Sequence, residues 1–354
     1  MSARVAIAIV TYNSAVYLPE LFASLREHTD LETHHIVVVD NASSDDSLAL
    51  LGAELPRTAN LVLLPQTENT GFARGNNIAF AEARRLRVDY VLCLNPDTVV
   101  TAGWLDTLLA VVDARPEVGA VQPLLLLWSE QDRINSAGNV VHFCGFGYCE
   151  SYRERVDEAG LGDEASSIGY ATGAALLLRM TALDQIGDFD ERFFLYHEDL
   201  ELQLRLRRAG WEILLVPTAR VFHKYNPSFS PNKFFFMERN RWMVLLKNWP
   251  LPLLLASLPA LIGVEAAVLV MAARGHWLDE KLLGYKQILA NVPQLLRERR
   301  AVHELDHGGA SEVAHFTGRI AFEGFDHPIV TRFANPVLER YLKLVRGTIK
   351  RFSR

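Results

Sequence analysis

Short apolar runs alternate with amphipathic patterns over the first 110 residues of the chain. The apolar runs predict buried strands at residues 4–10, 36–39, 61–64 and 90–94. Between them, apolar residues at helical spacing predict helices at residues 18–26, from about residue 46, and at residues 75–86. Strands that alternate with helices in this way are typical of an α/β domain with a mostly parallel sheet.

The pattern is less regular in the middle of the chain. Residues 120–180 are irregular and rich in glycine, and they contain one predicted strand at residues 174–178. A predicted helix at residues 200–209 and a predicted strand at residues 212–216 follow. The character of the sequence changes after Pro231, which indicates a second region.

This second region contains a long apolar segment at residues 250–273. It exceeds the roughly 20 residues needed to cross a bilayer, but its prolines and Glu265 are unfavourable in a spanning helix. Three interpretations remain: a spanning helix, an in-plane pair of short helices anchored by Trp249 and Trp277, or a buried helix pair. The basic run at residues 340–354 favours contact with an anionic membrane surface.

Composition and charge narrow the classes of function. The 354 residues are 49% apolar and 22% charged, which suits one large or two globular domains. The formal net charge of −6 argues against a nucleic-acid-binding protein. Three cysteines, Cys93, Cys144 and Cys149, give neither a disulfide framework nor a zinc spacing, so we expect a reducing cytosol. We expect no signal peptide, because the first apolar run leads directly into polar turn residues.

Polar residues cluster where the predicted strands end. These clusters are Thr11, Tyr12 and Asn13; Asp40 and Asn41; and Asn95, Pro96 and Asp97. Ligands of open α/β sheets bind at the carboxyl edge of the strands, so we expect these loops to meet there. Each cluster alone is equally well explained as a polar turn or a helix cap. Neither a dinucleotide-binding nor a P-loop glycine motif follows the first strand, which argues against both classes.

Three loops carry chemistry suited to a nucleotide diphosphate. The carboxylate of Asp40 suits recognition of a pyrimidine base edge. Residues 69–77 supply glycines, amides and Arg74 before a helix, which allows close approach to a diphosphate. Pro96 fixes a turn from which Asp97 projects, and a carboxylate there suits Mg²⁺ or Mn²⁺.

Further candidates lie in the second half of the chain. Glu198 and Asp199 begin a predicted helix, where the helix dipole favours acidic residues, and such a carboxylate also suits a general base. His223 follows a predicted strand. A lone histidine is more often a surface or core residue than a ligand, but its coincidence with the other loops favours a functional role.

In this order, the motifs resemble those of the family 2 glycosyltransferases with a GT-A fold, particularly the bacterial branch called rhamnosyltransferase-like. The resemblance covers about residues 4–245 and rests on residues 10–13, 39–45, 69–77, 94–97, 172–174, 198–199 and 223. It implies an α/β GT-A catalytic domain, which we place at residues 1–240. We expect residues 241–354 to form a helical, membrane-associated region.

The resemblance also implies a role for each site residue. Donor-nucleotide contacts are implied for Thr11, Tyr12, Asn13, Asp40, Asn41, Asn69, Gly71, Arg74, Asn76 and Asn95. Asp97 and His223 are the implied ligands of a divalent metal, Mg²⁺ or Mn²⁺, and Thr172 and Gly173 are implied for the acceptor or sugar pocket. Asp199 is the implied base, with Glu198 its neighbour. Because Asn95 replaces the first aspartate of the family's Asp-x-Asp motif, we expect weaker metal binding.

The implied reaction is inverting transfer of a sugar, rhamnose being one candidate, from a dTDP- or UDP-linked donor to a glycan or lipid-linked acceptor. The setting would be cell-surface polysaccharide synthesis at the inner face of the cell membrane. A metal-stabilised leaving group and one base give a direct displacement. This mechanism requires Asp40, Asp97 and Asp199 to converge on one cleft.

Two alternatives remain open. A sugar nucleotidyltransferase would need a glycine-rich basic loop after the first strand, and the chain has none there. A non-catalytic sugar-nucleotide-binding protein or membrane scaffold is disfavoured by the joint presence of Asp97, Glu198, Asp199 and His223.

Overall fold

A computed structural model of the protein describes residues 4–226, 231–305, 315–321, 328 and 330–352. The chain forms two compact units, each assembled from separated segments. The first unit contains residues 1–138, 151–195 and 211–226, and the second contains residues 139–150, 196–210 and 227–354. The predicted boundary after residue 240 stays a prediction, and the end of the predicted basic run, residues 353–354, lies outside the described residues.

Thirteen strands are described. In chain order they are β1 Val5–Thr11, β2 His35–Asp40, β3 Leu61–Pro65, β4 Tyr90–Leu94, β5 Thr98–Val100, β6 Val118–Leu127, β7 Glu130–Ser136, β8 Val140–His142, β9 Gly147–Tyr148, β10 Ser166–Ser167, β11 Ala175–Arg179, β12 Glu212–His223 and β13 Phe316–Thr317. The second unit holds a small sheet of β13, β8 and β9.

The first unit is built around a ten-stranded sheet in the order β10-β12-β6-β11-β4-β1-β2-β3, with β5 on β12 and β7 on β6. Strands β1 to β4 pair in parallel, as do β6 and β12, whereas β11 runs antiparallel between β4 and β6. The strands predicted in the first 110 residues and at β11 are therefore confirmed.

The described helices connect and cover these strands. They are α1 Leu18–His28, α2 Ser47–Glu54, α3 Gly71–Leu86, α4 Trp104–Ala114, α5 Met180–Ile186, α6 Glu198–Arg208, α7 Pro231–Asn248, α8 Leu251–Arg274, α9 Leu278–Glu304 and α10 Asn335–Phe352. The apolar stripe that predicts α1, including Leu18, Leu21 and Leu25, is fully buried in the core of the first unit.

The prediction that residues 120–180 lack regular structure is wrong at their start. Val118–Leu127 form β6, a strand of ten residues that is buried throughout. Gly119 and Pro123 obscure it, because both residues normally interrupt strands. Pro123 lies where the pairing of β6 with β12 shifts register, between Val216 and Arg220 of β12. Proline is tolerated there because a residue at a bulge does not need to donate a backbone N–H to the neighbouring strand.

Because of the same register shift, β12 continues beyond its predicted end at Val216. Pro217 suggests that the strand stops there, but after a three-residue bulge the strand resumes at Arg220 and continues to His223. In this second part, His223 pairs with Thr98 of β5 and with Leu127 of β6. His223 is therefore the last residue of a strand that is fixed on both sides.

The apolar segment of the second unit is one continuous helix, so the interpretation as a pair of short helices is wrong. Helix α8 contains Pro259 in its interior. Among the described residues it is the one helix long and apolar enough to cross a membrane, and only 17% of its most apolar window is buried. This exposure also contradicts a buried core helix.

Trp249 and Trp277 are not interface anchors, contrary to the prediction. Trp249 is buried, stacks on Phe316 and donates its indole N–H to the carbonyl oxygen of Phe143 (2.9 Å). Trp277 is also buried and stacks on Phe234. Both indoles therefore stabilise the interior of the second unit.

A buried cluster of charges joins α7, α8 and α9. Glu265, the acidic residue of α8, pairs with Arg241 of α7 and with Nζ of Lys281 of α9 (2.5 Å). Glu238 of α7 pairs with the same two cations, and Tyr285 donates to Glu265. Because the cations are 1% exposed, each charge depends on its partners rather than on water.

We predict that Lys281→Met lowers the free energy of unfolding by about 3–5 kcal/mol, because it leaves two buried carboxylates with one cation. Lys286→Met, the same change at an exposed position of the same helix, should alter it by no more than about 0.5 kcal/mol. Urea unfolding of both variants measures the difference. Equal effects would show that the cluster contributes nothing specific.

Candidate active site

The loops after β1 and β2 are joined by a buried carboxylate. Thr11 and Asp40 are the last paired residues of the two strands, and the hydroxyl of Thr11 donates to Oδ1 of Asp40 (2.9 Å). The hydroxyl and the backbone N–H of Ser43 donate to the two oxygens of Asp40 (2.6 and 3.0 Å). Asp40 is only 1% exposed, so these donors replace the water that its charge requires.

Asn13 continues this network towards the surface. Its backbone N–H donates to the hydroxyl of Ser43 (2.9 Å), and its side-chain oxygen accepts from the backbone N–H of Ser44 (2.8 Å). The left-handed backbone of Asn13 (φ 50°) is a conformation that asparagine tolerates better than most residues. Tyr12 is half exposed beside it and is available to a ligand.

Asn41 holds the loop that precedes α3. Its side-chain N–H donates to the carbonyl oxygen of Gly71 (3.0 Å), and its side-chain oxygen accepts from the hydroxyl of Thr70 (2.8 Å). Asn69 stabilises the same turn, since its side-chain oxygen accepts from the N–H of Gly71 (2.9 Å). The two amides predicted to contact a nucleotide therefore position the loop through these contacts.

Helix α3 begins at Gly71, one turn earlier than predicted. A Cβ at this residue would lie 2.5 Å from the ring of Phe194, and its φ of 79° also favours glycine. The carbonyl oxygen of Phe194 accepts from the N–H groups of Phe72 and Ala73 (2.7 and 3.3 Å). Two amides at the helix start are thus already bonded within the protein.

The first turns of α3 also carry two predicted donor-site residues. Arg74 is half exposed and lies 3.8 Å from Glu191, so its guanidinium is held loosely and is accessible. Asn76 is buried and donates to the carbonyl oxygen of Phe72 (2.9 Å), while its side-chain oxygen has no hydrogen-bond partner among the described residues.

The loop after β4 places a carboxylate against a histidine. Nε2 of His223 lies 3.1 Å from Oδ1 of Asp97, and Nδ1 of the same ring lies 2.8 Å from the side-chain oxygen of Asn135. The amide oxygen can only accept, so Nδ1 carries a proton. The Nε2 atom therefore faces the carboxylate of Asp97. Because lone pairs on Nε2 and on Oδ1 would repel each other, a proton or a cation must lie between the two atoms.

This donor set fits a divalent metal. A ligating histidine characteristically donates its other N–H to a neighbouring oxygen, as His223 does to Asn135. The carboxylate oxygen suits Mn²⁺ or Mg²⁺, the imidazole nitrogen favours the transition metal Mn²⁺ over Mg²⁺, and two protein ligands leave positions for phosphate oxygens. Among the residues that the structure describes, no group of three or more His, Cys, Asp or Glu side chains could hold a metal. Asp97 and His223 would thus act as a two-residue site.

Backbone contacts hold Asp97 in place. Its carbonyl oxygen accepts from the N–H of Lys224 (2.8 Å), and the N–H of Thr98 donates to the carbonyl oxygen of Asn95 (3.3 Å). The N–H of Asn95 in turn donates to Ala174, next to β11 (2.9 Å). The turn that carries Asp97 is thus fixed by β11 and β12.

The predicted pocket residues Thr172 and Gly173 lie just before β11. The N–H of Thr172 donates to the side-chain oxygen of Gln122 in β6 (2.7 Å), and Gln122 also donates to Ser136 (3.1 Å). Gln122 and Asn135 were not predicted from the sequence. Gln122 lies in a strand that the breaker residues obscure, and a single asparagine in an irregular segment carries no signal.

The predicted acidic pair begins α6 in the second unit. Glu198 is 5% exposed, and its Oε2 has no hydrogen-bond partner among the described residues. The preceding Tyr196 and His197 both adopt left-handed backbone (φ 70° and 67°), which is rare outside glycine and marks local strain. The side-chain N–H of Asn240 holds this segment through the carbonyl oxygen of Tyr196 (2.7 Å).

The two acidic residues differ in their surroundings. Burial, and then the charge of Asp199, raise the pKa of Glu198 well above its usual range. Burial lowers the pKa of the adjacent His197 to about 4. The side chain of Asp199 is less buried and accepts from the N–H of Leu200 (2.7 Å). The function of the pair, and the convergence of Asp199 with Asp40 and Asp97, stay predictions.

Comparison with solved structures identifies the fold as the GT-A fold of glycosyltransferases. A mannosyltransferase from Pyrobaculum calidifontis, in complex with GDP-Man and Mn²⁺, is similar over 85% of each chain with a TM-score of 0.51 and 17% sequence identity. GalNAc-T7 with UDP, GalNAc and Mn²⁺ is similar over 69% of this chain and 48% of its own, with a TM-score of 0.55 and 15% identity. The predicted fold class is confirmed.

The sequence then identifies the family. The model of the family described as glycosyltransferase like family 2 matches residues 3–244. The chain belongs to this family and is a glycosyltransferase, as predicted from its motifs.

Two curated relatives are rhamnosyltransferases. N-acetylglucosaminyl-diphospho-decaprenol L-rhamnosyltransferase of Mycobacterium tuberculosis is 29% identical, over 61% of this chain and 75% of its own length. Rhamnosyltransferase WbbL of Escherichia coli K12 is 28% identical, over 67% of this chain and 88% of its own. The predicted rhamnosyltransferase-like branch is thereby confirmed.

We predict that Glu198→Gln stabilises the protein, and increasingly so as the pH rises. A carboxyl whose pKa is raised in the folded state contributes stability at low pH, which is lost between the unfolded value of 4.5 and the folded value. The glutamine variant does not lose this stability as the pH rises, because the glutamine side chain does not titrate. Urea unfolding at about pH 5 and about pH 8 should show a gain that is larger at the higher pH.

Glu201→Gln is the matched control on the same helix. Glu201 is fully buried but is bonded to Arg205 (2.9 Å) and Lys247 (3.0 Å), so removal of its charge should destabilise the protein at both pH values. A Glu198 variant that loses stability as the Glu201 variant does would contradict a neutral Glu198.

Proposed function

We propose that this glycosyltransferase moves a sugar, with inversion, from a nucleoside diphosphate to a glycan or lipid-linked acceptor in cell-surface polysaccharide synthesis. The observation that carries the proposal is the contact of Asp97 with His223. This contact lies at the edge of the sheet where strands β1, β2 and β4 end and their loops begin. The names of the two relatives support rhamnose as the sugar, and the name of the mycobacterial relative supports a diphospholipid as the acceptor.

The network around Asp40 would receive the base of a dTDP- or UDP-linked donor. A carboxylate offers about four lone-pair positions, and Thr11 and Ser43 occupy three of them. The remaining position can accept the ring N–H of a pyrimidine. Asn13 and Tyr12 lie beside this position, where they can contact the base and the ribose.

The diphosphate would be held by Arg74 and by an ion bound to Asp97 and His223. A divalent ion held there would supply positive charge to the departing nucleoside diphosphate, which lowers the cost of breaking the bond to the sugar. The two solved relatives named above contain Mn²⁺, which supports this choice of ion. Arg74 would contribute further positive charge to the leaving group.

Asp199 would serve as the base that receives the proton of the acceptor hydroxyl. Its neighbour Glu198 is buried, and burial and the charge of Asp199 raise the pKa of Glu198, which makes Glu198 the less suitable carrier of the negative charge. A single base and a single displacement invert the anomeric centre. The strained backbone at Tyr196 and His197 supports a functional role for this position, because strain concentrates at active sites.

A lipid-linked acceptor places the reaction at the cytoplasmic face of the cell membrane. We also propose that residues 1–240, which include parts of both compact units, form the catalytic domain and that residues 241–354 associate with the membrane. The apolar exposed helix α8 supports it.

Asp199→Asn should abolish turnover and leave binding of the nucleoside diphosphate unchanged, because it removes the base without touching the donor loops. Loss of a general base typically costs about 10²–10⁴-fold in rate. Release of nucleoside diphosphate from dTDP-rhamnose with a lipid-linked acceptor measures turnover, and calorimetric titration measures binding. Asp106→Asn, the same change in the exposed first turn of α4, should keep full turnover. Near-normal turnover of the Asp199 variant would refute the assignment.

Asn135→Ala should weaken Mn²⁺ binding by about 10–100-fold, because His223 loses the acceptor that orients its ring. Asn135→Asp retains an acceptor for the N–H of Nδ1 and should restore most of the affinity. Titration of Mn²⁺ followed by electron paramagnetic resonance measures binding without turnover. Unchanged affinity in the alanine variant would show that the contact of Asn135 with His223 does not contribute to metal binding.

A further inference from the structure

The exposed side of α8 is apolar along its whole length. Its exposed residues are Leu251, Pro252, Leu255, Leu258, Pro259, Ile262, Gly263, Ala266, Ala267, Val270, Met271 and Ala273, with Arg274 at the end. They recur at a spacing of three to four residues and therefore lie on one side of the helix. A helix of 24 residues is about 36 Å long, so this apolar stripe is unusually extensive for a surface.

The opposite side of α8 is fixed to the protein. Leu253, Ser257 and Leu261 are buried at four-residue spacing, and Glu265 continues this row into the buried charge cluster with Arg241 and Lys281. Rotation of α8 about its axis would break these ion pairs. The cluster therefore determines which side of the helix faces outwards.

The exposed residues of α9 combine apolar and basic side chains. Leu282, Leu289 and Leu296 are about half exposed or more, and the exposed cations Lys286 and Arg297 lie among them. The helix contains no acidic residue from position 281 to position 297. Apolar side chains with interspersed cations are typical of helices that bind anionic lipid surfaces.

Helix α10 and the segment before it also expose apolar and basic side chains, with one exposed acidic residue, Glu339, among them. Phe333, Val337 and Leu344 are exposed at helical spacing, together with Arg340 and Lys343. The helix contacts α8, since the hydroxyl of Tyr341 donates to the carbonyl oxygen of Ala256 (2.7 Å). We call the exposed residues of α8, α9 and α10 named in these paragraphs the lipid face.

We propose that the lipid face lies on an anionic bilayer, with α8 parallel to the membrane plane and its apolar stripe inserted among the upper acyl chains. The cations of α9 and α10 bind the phosphates of anionic headgroups. Such helices enter the boundary between headgroups and acyl chains by about 5–10 Å.

A spanning orientation of α8 conflicts with the charge cluster. Glu265 lies in the interior of the helix, so a spanning helix would carry it into the hydrocarbon together with Arg241 and Lys281, or would break both ion pairs. Either outcome is costly for buried charges. In the membrane plane, the cluster stays on the protein side.

A second copy of the chain is a poorer occupant of this face. In a two-fold contact the same patch meets itself, which would bring together Lys286, Arg297, Arg340 and Lys343 from both copies. Like charges in an interface oppose association. Anionic lipid headgroups satisfy these cations instead.

The proposal deepens the proposed membrane association of residues 241–354, and it rests on the proposed sugar transfer only for its biological purpose, because a lipid-linked acceptor lies in the membrane. Vesicle binding and sugar transfer are measured separately, so either idea can fail alone. Turnover with a short water-soluble acceptor tests transfer without the lipid face.

The first experiment measures co-sedimentation of the full chain with phosphatidylcholine vesicles, with and without phosphatidylglycerol. Wild-type protein should bind the anionic vesicles more tightly. The double variant Leu255→Gln, Ile262→Gln should bind at least about tenfold more weakly. The matched control Leu48→Gln, Leu55→Gln changes two exposed leucines of the first unit and should bind as wild type does. Equal binding of both variants would overturn the proposal.

The second experiment measures the depth of single cysteines at Leu251, Ile262 and Met271, labelled with a fluorophore and quenched by lipids that carry quenchers at known depths. The three natural cysteines are buried and do not interfere. An in-plane helix gives equal shallow depths. A spanning helix places residue 262 deeper than residue 251 by about 16 Å, and that result would overturn the proposal.

Sedimentation equilibrium without lipid tests whether a second copy of the chain occupies the lipid face. We expect the wild-type protein to form no dimer that depends on Leu255 and Ile262. A dimer that these substitutions dissociate would assign the face to a second copy and would contradict a lipid surface.

Discussion

The buried hydrogen bond between Thr11 and Asp40 is the contact on which the loops after β1 and β2 depend. The parallel register of β1 and β2 ends with these two residues opposite each other, and their bond closes the ends of both strands. A carboxylate withdrawn from water must find donors, so Ser43 is drawn to it, and Asn13 to Ser43. The conformations of two loops follow from the need to satisfy one charge.

The candidate metal corner depends on a different constraint, the long strand β12. Its bulge allows it to continue past Pro217 and to place His223 beside Thr98, one residue after Asp97. Asn135, at the end of β7, then fixes which nitrogen of the imidazole faces the carboxylate. Segments that are distant in sequence thus determine how His223 meets Asp97, so the contact depends on the register of β12.

In the second unit, the buried charges determine how an apolar helix is presented. Hydrophobicity alone would bury α8, but Glu265 requires Arg241 and Lys281, and this requirement fixes one side of the helix to α7 and α9. The other side remains exposed. The charge cluster therefore contributes specificity of orientation, which is the best-supported use of buried ionic groups.

The sequence alone determined the alternation of strands and helices, and it indicated which loops carry Asp40, Asp97 and Glu198, because periodicity and strand ends are local properties. It could not reveal β6 or the full length of β12, since Gly119, Pro123 and Pro217 give local signals that only a bulge between paired strands overrides. Tertiary structure alone decided that Asn135 orients His223, that Trp249 and Trp277 are buried, and that α8 is one helix. These outcomes depend on partners far away in the chain, and no local pattern encodes them.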